Sequence, residues 1–163
     1  QTIKMKKVVV TGAGGYVGVL LCEALLKKGY HVRALDRYFF GLDKMDSIKD
    51  IPNLEIWKDD LRYCDPAIFN DVYAVLDLAG LSNDASAEID PELTKPGVDR
   101  YIYSSSASVY GAGAKPSLSE GDPLYPQTEY AKSKVAMEKV LMELKDENFH
   151  PTMLRNATIF GLA

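Results

Sequence analysis

Tyr130 and Lys134 stand four residues apart in Tyr130-Ala131-Lys132-Ser133-Lys134, a spacing that stacks them on one face of a helix. The same face runs on through Met137, Leu141 and Leu144, with Lys132, Lys139 and Glu143 opposite. A lysine is therefore predicted at the edge of a buried stripe, which asks for a reason. A tyrosine acts as a base only if it loses its proton about 3 units below its free value, which takes roughly 4 kcal/mol. One cation at ~4 Å supplies about that much at an effective dielectric near 20. Upstream, Ser104-Ser105-Ser106 closes a predicted strand, at the carboxyl edge where open α/β sheets bind ligands. A hydroxyl, a phenol and an ammonium together suit proton transfer. The Tyr-Lys pair alone is weak, because the chain has 10 tyrosines.

The second chemical signal is Thr11-Gly12-Ala13-Gly14-Gly15-Tyr16-Val17-Gly18, with Gly12, Gly15 and Gly18 three residues apart. It follows one predicted strand and opens a helix. Small residues there let the backbone turn tightly and let a pyrophosphate approach the helix N-terminus, where free N–H groups and the dipole favour an anion. Asp36 ends the next strand, eighteen residues after Gly18. An acid in that place accepts hydrogen bonds from an adenosine ribose and repels a 2′-phosphate. Arg37 beside it carries the opposite charge, but Asp36 holds the strand-end position, and the expectation is NAD rather than NADP. Asp59-Asp60-Leu61 follows the third strand; an acid there meets the adenine edge or belongs to a solvated turn.

The elements that must carry these residues read as alternating strands and helices. Lys7–Thr11 is a buried strand, since Val8-Val9-Val10 is continuous rather than alternating. A helix is predicted over Gly15–Lys28, with Val17, Leu20, Leu21, Ala24 and Leu25 on its packing face, and it stops at Gly29. Strands follow at His31–Asp36, Leu54–Trp57, Tyr73–Leu78 and Tyr101–Ser105, then a helix at Thr128–Lys145 and a strand at Thr152–Asn156. This rhythm implies right-handed parallel crossovers: an α/β, Rossmann-like, doubly wound parallel sheet with helices on both faces. One connection departs from it. Leu81–Val98 holds Pro91, Pro96 and Gly97, with at best a short helix over Ala85–Ile89. A crossover helix is expected to be missing there, leaving a break, disorder or an exposed apolar sheet face near Thr94–Val98.

Composition bounds the rest. In 163 residues there are 19 Lys plus Arg and 23 Asp plus Glu, for a formal charge of −4. That balance carries no electrostatic footprint for nucleic acid or an anionic membrane. Two cysteines, Cys22 and Cys64, and two histidines, His31 and His150, make neither a disulfide framework nor a metal site. No apolar run approaches the ~18 residues of a membrane span. The expectation is a soluble, cytosolic domain without metal.

Taken in order, Thr11–Gly18, Asp36, Asp60-Leu61, Leu78-Ala79-Gly80, Ser104–Gly111, Tyr130–Lys134 and Leu154-Arg155-Asn156-Ala157-Thr158 resemble the extended short-chain dehydrogenase/reductases that act as nucleotide-sugar epimerases and dehydratases, with UDP-glucose 4-epimerase as the type. The resemblance covers nearly the whole chain. It implies a Rossmann fold, bound NAD, a nucleotide-sugar substrate, and Ser106, Tyr130 and Lys134 as the catalytic set. It further implies dinucleotide contacts from Gly12, Gly15, Tyr16, Val17, Asp36, Asp60, Leu61, Leu78, Ala79, Ser104, Tyr130 and Lys134, with Asn156 near the nicotinamide. Family members carry a full helix between Leu81 and Asp99, often used in dimers, so a homodimer is one expectation. They also continue into a domain that grips the nucleotide-sugar; 1–163 is read as the NAD-binding part alone. Asp77 stands where the family often has His, which leaves its charge without a role.

Within the family, 4,6-dehydratases resemble one another in an Asp-Glu pair directly after the catalytic hydroxyl residue, because elimination of water needs an acid and a base. Here Ala107-Ser108 follows Ser106, which favours epimerisation through a keto-sugar and hydride transfer. The alternatives are a dehydratase or reductase on the same platform, and a non-catalytic NAD sensor. A sensor has no need for Ser106, Tyr130 and Lys134 together.

Overall fold

The structure, a computed structural model, describes residues 5–80, 90–112 and 116–161. Six strands, β1 (Lys7–Thr11), β2 (His31–Asp36), β3 (Leu54–Lys58), β4 (Ala74–Asp77), β5 (Arg100–Ser106) and β6 (His150–Asn156), form one parallel sheet in the order β3-β2-β1-β4-β5-β6. Helix α1 (Tyr16–Lys27) joins β1 to β2, and α2 (Glu129–Leu144) joins β5 to β6. The chain order reverses between β1 and β4, the crevice where such sheets bind ligands.

Strand alternation divides the core between two faces. Val9, Leu35, Val75, Tyr101 and Tyr103 pack with Met137 and Leu141 of α2. Val8, Val10, Val32 and Ala34 pack with Cys22 and Leu26 of α1. Helices thus cover both faces, and the continuous valines of β1 are explained because both faces are dry.

Helix α1 packs differently from the predicted stripe. Gly18, Cys22 and Leu26 are its buried residues, whereas Leu20 and Ala24 are exposed and Val17, Leu21 and Leu25 are half-buried. The cause is Gly18: a Cβ there would lie 2.2 Å from the Gly12 carbonyl oxygen. The helix rolls its glycine into the turn, and the residues four and eight further on follow it inward. On α2 the predicted stripe holds, with Ala131, Lys134, Met137, Glu138 and Leu141 buried. The Thr128 side chain accepts from the Ala131 N–H at 3.1 Å and caps its start.

Strand ends differ by a few residues: β4 excludes Tyr73 and Leu78, β3 reaches Lys58, and β6 begins at His150. Of the β4–β5 connection, a helix over Ala85–Ile89 falls outside the described residues. The remainder holds a single 3-10 turn, Pro91–Leu93. Thr94–Val98, where a break, disorder or an exposed apolar sheet face was expected, is a continuous turn: Thr94 is buried with Oγ1 donating to the Pro91 carbonyl at 2.8 Å, Gly97 takes φ 94°, and Val98 is buried. A glycine with positive φ lets the chain reverse into β5 without a helix. On the α1 side of the outer strands, Ile102 is half-buried and its neighbours Thr152 and Leu154 are exposed.

Candidate active site

The turn after β1 lies at the reversal of strand order. Gly12 has φ +65°, and a Cβ there would come within 3.1 Å of the Leu78 and Ala79 backbone. A side chain would strain the turn and push it off the end of β4. Thr11 locks the same junction. Its hydroxyl donates to Asp77 Oδ1 at 2.5 Å and accepts from the Leu78 and Ala79 N–H groups at 3.2 Å. Asp77 Oδ2 accepts from the Tyr101 hydroxyl at 2.6 Å. Asp77, without a role in the sequence, is fully buried and braces β1, β4 and β5 beneath the glycine turn.

Helix α1 has Gly15 at its N-cap, with no side-chain cap and no acid in its first turn. Its first N–H donors are left for an anion. A cavity of about 400 Å³ opens before them, lined by Gly12, Gly14, Gly15, Tyr16, Asp36, Asp60, Leu61, Leu78, Ala79 and Gly80 among others. The Asp36 carboxylate is fixed inside it: Oδ2 accepts from Gly14 N–H at 3.1 Å and Oδ1 from Tyr38 N–H at 2.7 Å. Tyr38, at φ 50°, is itself held by its hydroxyl on the Ala34 carbonyl at 2.9 Å. A Cβ on Gly14 would strike the Tyr38 ring at 2.8 Å, so the turn, Asp36 and Tyr38 form one preset unit.

The far end of the cavity meets α2. Gly80 lines it, and a Cβ on Gly80 would sit 3.2 Å from Lys134 Nζ. Lys134 is 3% exposed. Its Nζ lies 4.6 Å from the centre of the Tyr103 ring and 5.5 Å from that of Tyr130, where a cation meets the negative ring face. Tyr130 is half-buried on the first turn of α2. Ser106 ends β5, and its oxygen accepts from Ser108 N–H at 3.2 Å and Ser108 Oγ at 2.9 Å. Beside it in register, Asn156 donates from Nδ2 to Ser104 Oγ at 3.2 Å. Ser104 and Ser106 on β5, Asn156 on β6, Tyr130 and Lys134 on α2, and Val17 on the first turn of α1 do not themselves line the cavity; Lys134 adjoins it through Gly80.

Sequence reasoning passed over Glu138. It is buried one turn beyond Lys134 and accepts from Ser105 Oγ at 2.6 Å, Arg155 Nε at 3.1 Å and Arg155 Nη2 at 2.7 Å. Arg155 also donates from Nη1 to the Tyr110 hydroxyl at 2.8 Å and the Glu120 carbonyl at 3.0 Å. Burial pushes the Glu138 carboxyl up, but the bonds from Arg155 and Ser105 and the guanidinium charge together hold it below the usual range. The signal in the sequence was a glutamate inside the apolar stripe of α2, as with Lys134.

The sequence matches the NAD dependent epimerase/dehydratase family over residues 8–163. The chain belongs to that family. It is 28% identical to a UDP-glucose 4-epimerase of Bacillus subtilis (strain 168), over 94% of this chain and 53% of that protein. Its fold is similar to the UDP-glucuronic acid 4-epimerase from Bacillus cereus in complex with NAD, at TM-score 0.82 and 24% identity over 95% of this chain and 57% of that one. It is also similar to the UDP-N-acetylglucosamine 4-epimerase from Methanobrevibacter ruminantium M1 in complex with UDP-N-acetylmuramic acid, at TM-score 0.80 and 28% identity over 94% and 55%. The chain spans about half the length of the curated relatives it matches. NAD is the family's cofactor, and the residues fit it: an uncapped helix start, glycines that a Cβ would displace, and a fixed carboxylate at the end of β2. Among the described residues no helix is long and apolar enough to cross a membrane.

Asp36 yields a direct expectation. Asp36→Ala removes the carboxylate read from the sequence as the ribose acceptor, and with it the two backbone bonds that set the turn. NAD affinity is expected to fall about tenfold or more, since hydrogen bonds to charged groups are worth about 1.5–3 kcal/mol. The preference over NADP is expected to narrow. Calorimetric titration with both dinucleotides reads this, and a wild-type chain that binds NADP more tightly contradicts it.

Proposed function

We propose that the protein to which this chain belongs is an NAD-dependent nucleotide-sugar epimerase, with 1–163 as its NAD-binding domain. The observation that carries the reading is Lys134: a lysine 3% exposed, against the Tyr130 ring and beside the Gly80 end of the cavity. Burying an ammonium is costly, and a bound dinucleotide together with proton transfer at Tyr130 gives that charge a use.

NAD, once bound, supplies the hydride acceptor and donor that epimerisation through a transient keto-sugar needs. Tyr130 takes the proton from the sugar hydroxyl and returns it. Lys134 sets a positive charge beside the phenolate that accepts this proton. Ser106 hydrogen-bonds the same substrate oxygen, and its bonds with Ser108 orient it. Ser104 and Asn156 brace each other at the adjoining strand ends and would contact the nicotinamide part of bound NAD. Epimerisation is favoured over elimination because Ala107 and Ser108 offer no carboxylate next to Ser106.

The nucleotide-sugar is held by a part of the protein corresponding to the remaining length of the relatives. The alignment with the Bacillus subtilis epimerase runs over 179 positions while 94% of the 163 residues enter it, so roughly two dozen of its residues lack a counterpart here. The β4–β5 connection, with Pro91, Pro96 and Gly97 in its sequence, is our reading of where part of that difference falls.

The test is incubation of the full-length protein with UDP-, dTDP- and GDP-hexoses, followed by NMR. An epimeric sugar is expected. Accumulation of a 4-keto-6-deoxy sugar makes it a dehydratase instead, and bound NAD without turnover on any sugar makes it a sensor.

A further inference from the structure

Asp60 stands just beyond β3, at the end of the cavity that also holds Asp36. Two guanidiniums occupy its carboxylate. Arg62 donates from Nε to Oδ1 at 3.0 Å and from Nη2 to Oδ2 at 2.6 Å, and its backbone N–H reaches Oδ1 at 3.1 Å. Arg37 brings Nη1 to 3.4 Å from Oδ2 and lays its guanidinium 4.0 Å over the centre of the Phe39 ring. Hydrogen bonding by Arg62, then its charge and that of Arg37, holds the Asp60 carboxyl well below the usual carboxylate range. Asp36, Arg37, Asp60 and Arg62 all line the cavity.

A guanidinium fork matches a phosphate as well as it matches a carboxylate. Arg37 follows directly on the residue read as the ribose acceptor, so the chain carries the cations that a 2′-phosphate would seek. We propose that Asp60 is a specificity-determining residue that keeps the site for NAD by engaging Arg37 and Arg62, so that a 2′-phosphate meets the Asp36 carboxylate and two guanidiniums already paired. This rests on the cavity being the dinucleotide site. It assigns Asp60 a role distinct from contact with adenine: an adenine contact acts equally on both dinucleotides, whereas pairing the arginines acts on the phosphorylated one. Lys44 lines the same cavity and is the competing cation.

Asp60→Asn keeps the shape of the side chain and removes its charge. Calorimetry on the full chain would compare adenosine 2′,5′-bisphosphate with adenosine 5′-monophosphate, and NADP with NAD. In Asp60→Asn the affinity ratio is expected to move about tenfold or more toward the 2′-phosphorylated member of each pair. Adding Arg37→Ala or Arg62→Ala is expected to take back most of that gain. Equal weakening of both members of a pair overturns the proposal, as does a gain that survives loss of both arginines and disappears with Lys44→Ala. A wild-type chain that binds neither NAD nor the monophosphate overturns the dinucleotide reading itself and this inference with it. Binding in the wild type without a shift in the variant overturns the inference alone.

Discussion

Tyr130→Phe is expected to lower turnover of the full-length enzyme at least a hundredfold while NAD stays bound. The substitution removes one oxygen and leaves the ring that packs beside Lys134. Tyr130 sits on the first turn of α2, and the helix start is held separately by Thr128. Neither the fold nor the glycine turn depends on the lost hydroxyl. What is lost is the group that exchanges a proton with the sugar, and positioned acid–base catalysis contributes about 10²- to 10⁴-fold. Turnover followed by NMR, paired with calorimetric NAD binding, separates the two effects. Full activity in Tyr130→Phe contradicts the proton-transfer role; simultaneous loss of NAD binding contradicts the claim that the hydroxyl acts on substrate rather than on structure.

Arg155→Met is expected to cost about 3–5 kcal/mol of stability at neutral pH, the usual result of removing one partner of a buried ion pair. Glu138 is 5% exposed, and Arg155 supplies two of its three hydrogen bonds. Methionine fills much of the arginine stem's volume, so the loss is mainly that of an uncompensated charge. The pH dependence identifies the cause. In the wild type the Glu138 carboxyl is depressed, so its contribution is present above the unfolded value, about 4.3, and is lost as pH falls through the folded value. Without Arg155, burial acts against Ser105 alone and the carboxyl is raised. The penalty is then full above that raised value and fades as pH falls toward the unfolded one. The gap between variant and wild type is expected to be wide at pH 7 and narrow near pH 4. Urea denaturation at both values measures it. A gap of equal size at both points to lost packing, and recovery in Arg155→Met with Glu138→Met points to the charge.

This ion pair also explains how the site is assembled. Ser105 precedes Ser106, Glu138 lies one turn beyond Lys134, and Arg155 precedes Asn156. Together they tie β5, α2 and β6 immediately behind the residues read as catalytic, and Arg155 extends the tie to Tyr110 and Glu120. A site spread over three elements needs such support, because the productive geometry tolerates only small displacements.

Features that depend on neighbours along the chain were legible before folding is considered. The glycine spacing after β1, the four-residue interval between Tyr130 and Lys134, and the all-apolar run Val8-Val9-Val10 are local patterns with fixed geometric meaning. They were enough for the sheet, its two covered faces and the strand-end position of Asp36. Where buried charges and the closest contacts fall was settled by packing in three dimensions. Gly18 turned α1 onto Cys22 and Leu26 because its contact is with Gly12, across a turn that hydropathy does not register. Asp77 found Thr11 and Tyr101, residues 66 and 24 positions away. Asp60 gathered Arg37 from another strand end, and Glu138 gathered Arg155 from β6. Whether such a carboxylate is a solvated surface group, a brace or a specificity device depends on the partners that surround it once water is excluded, and those partners meet only when the sheet has formed.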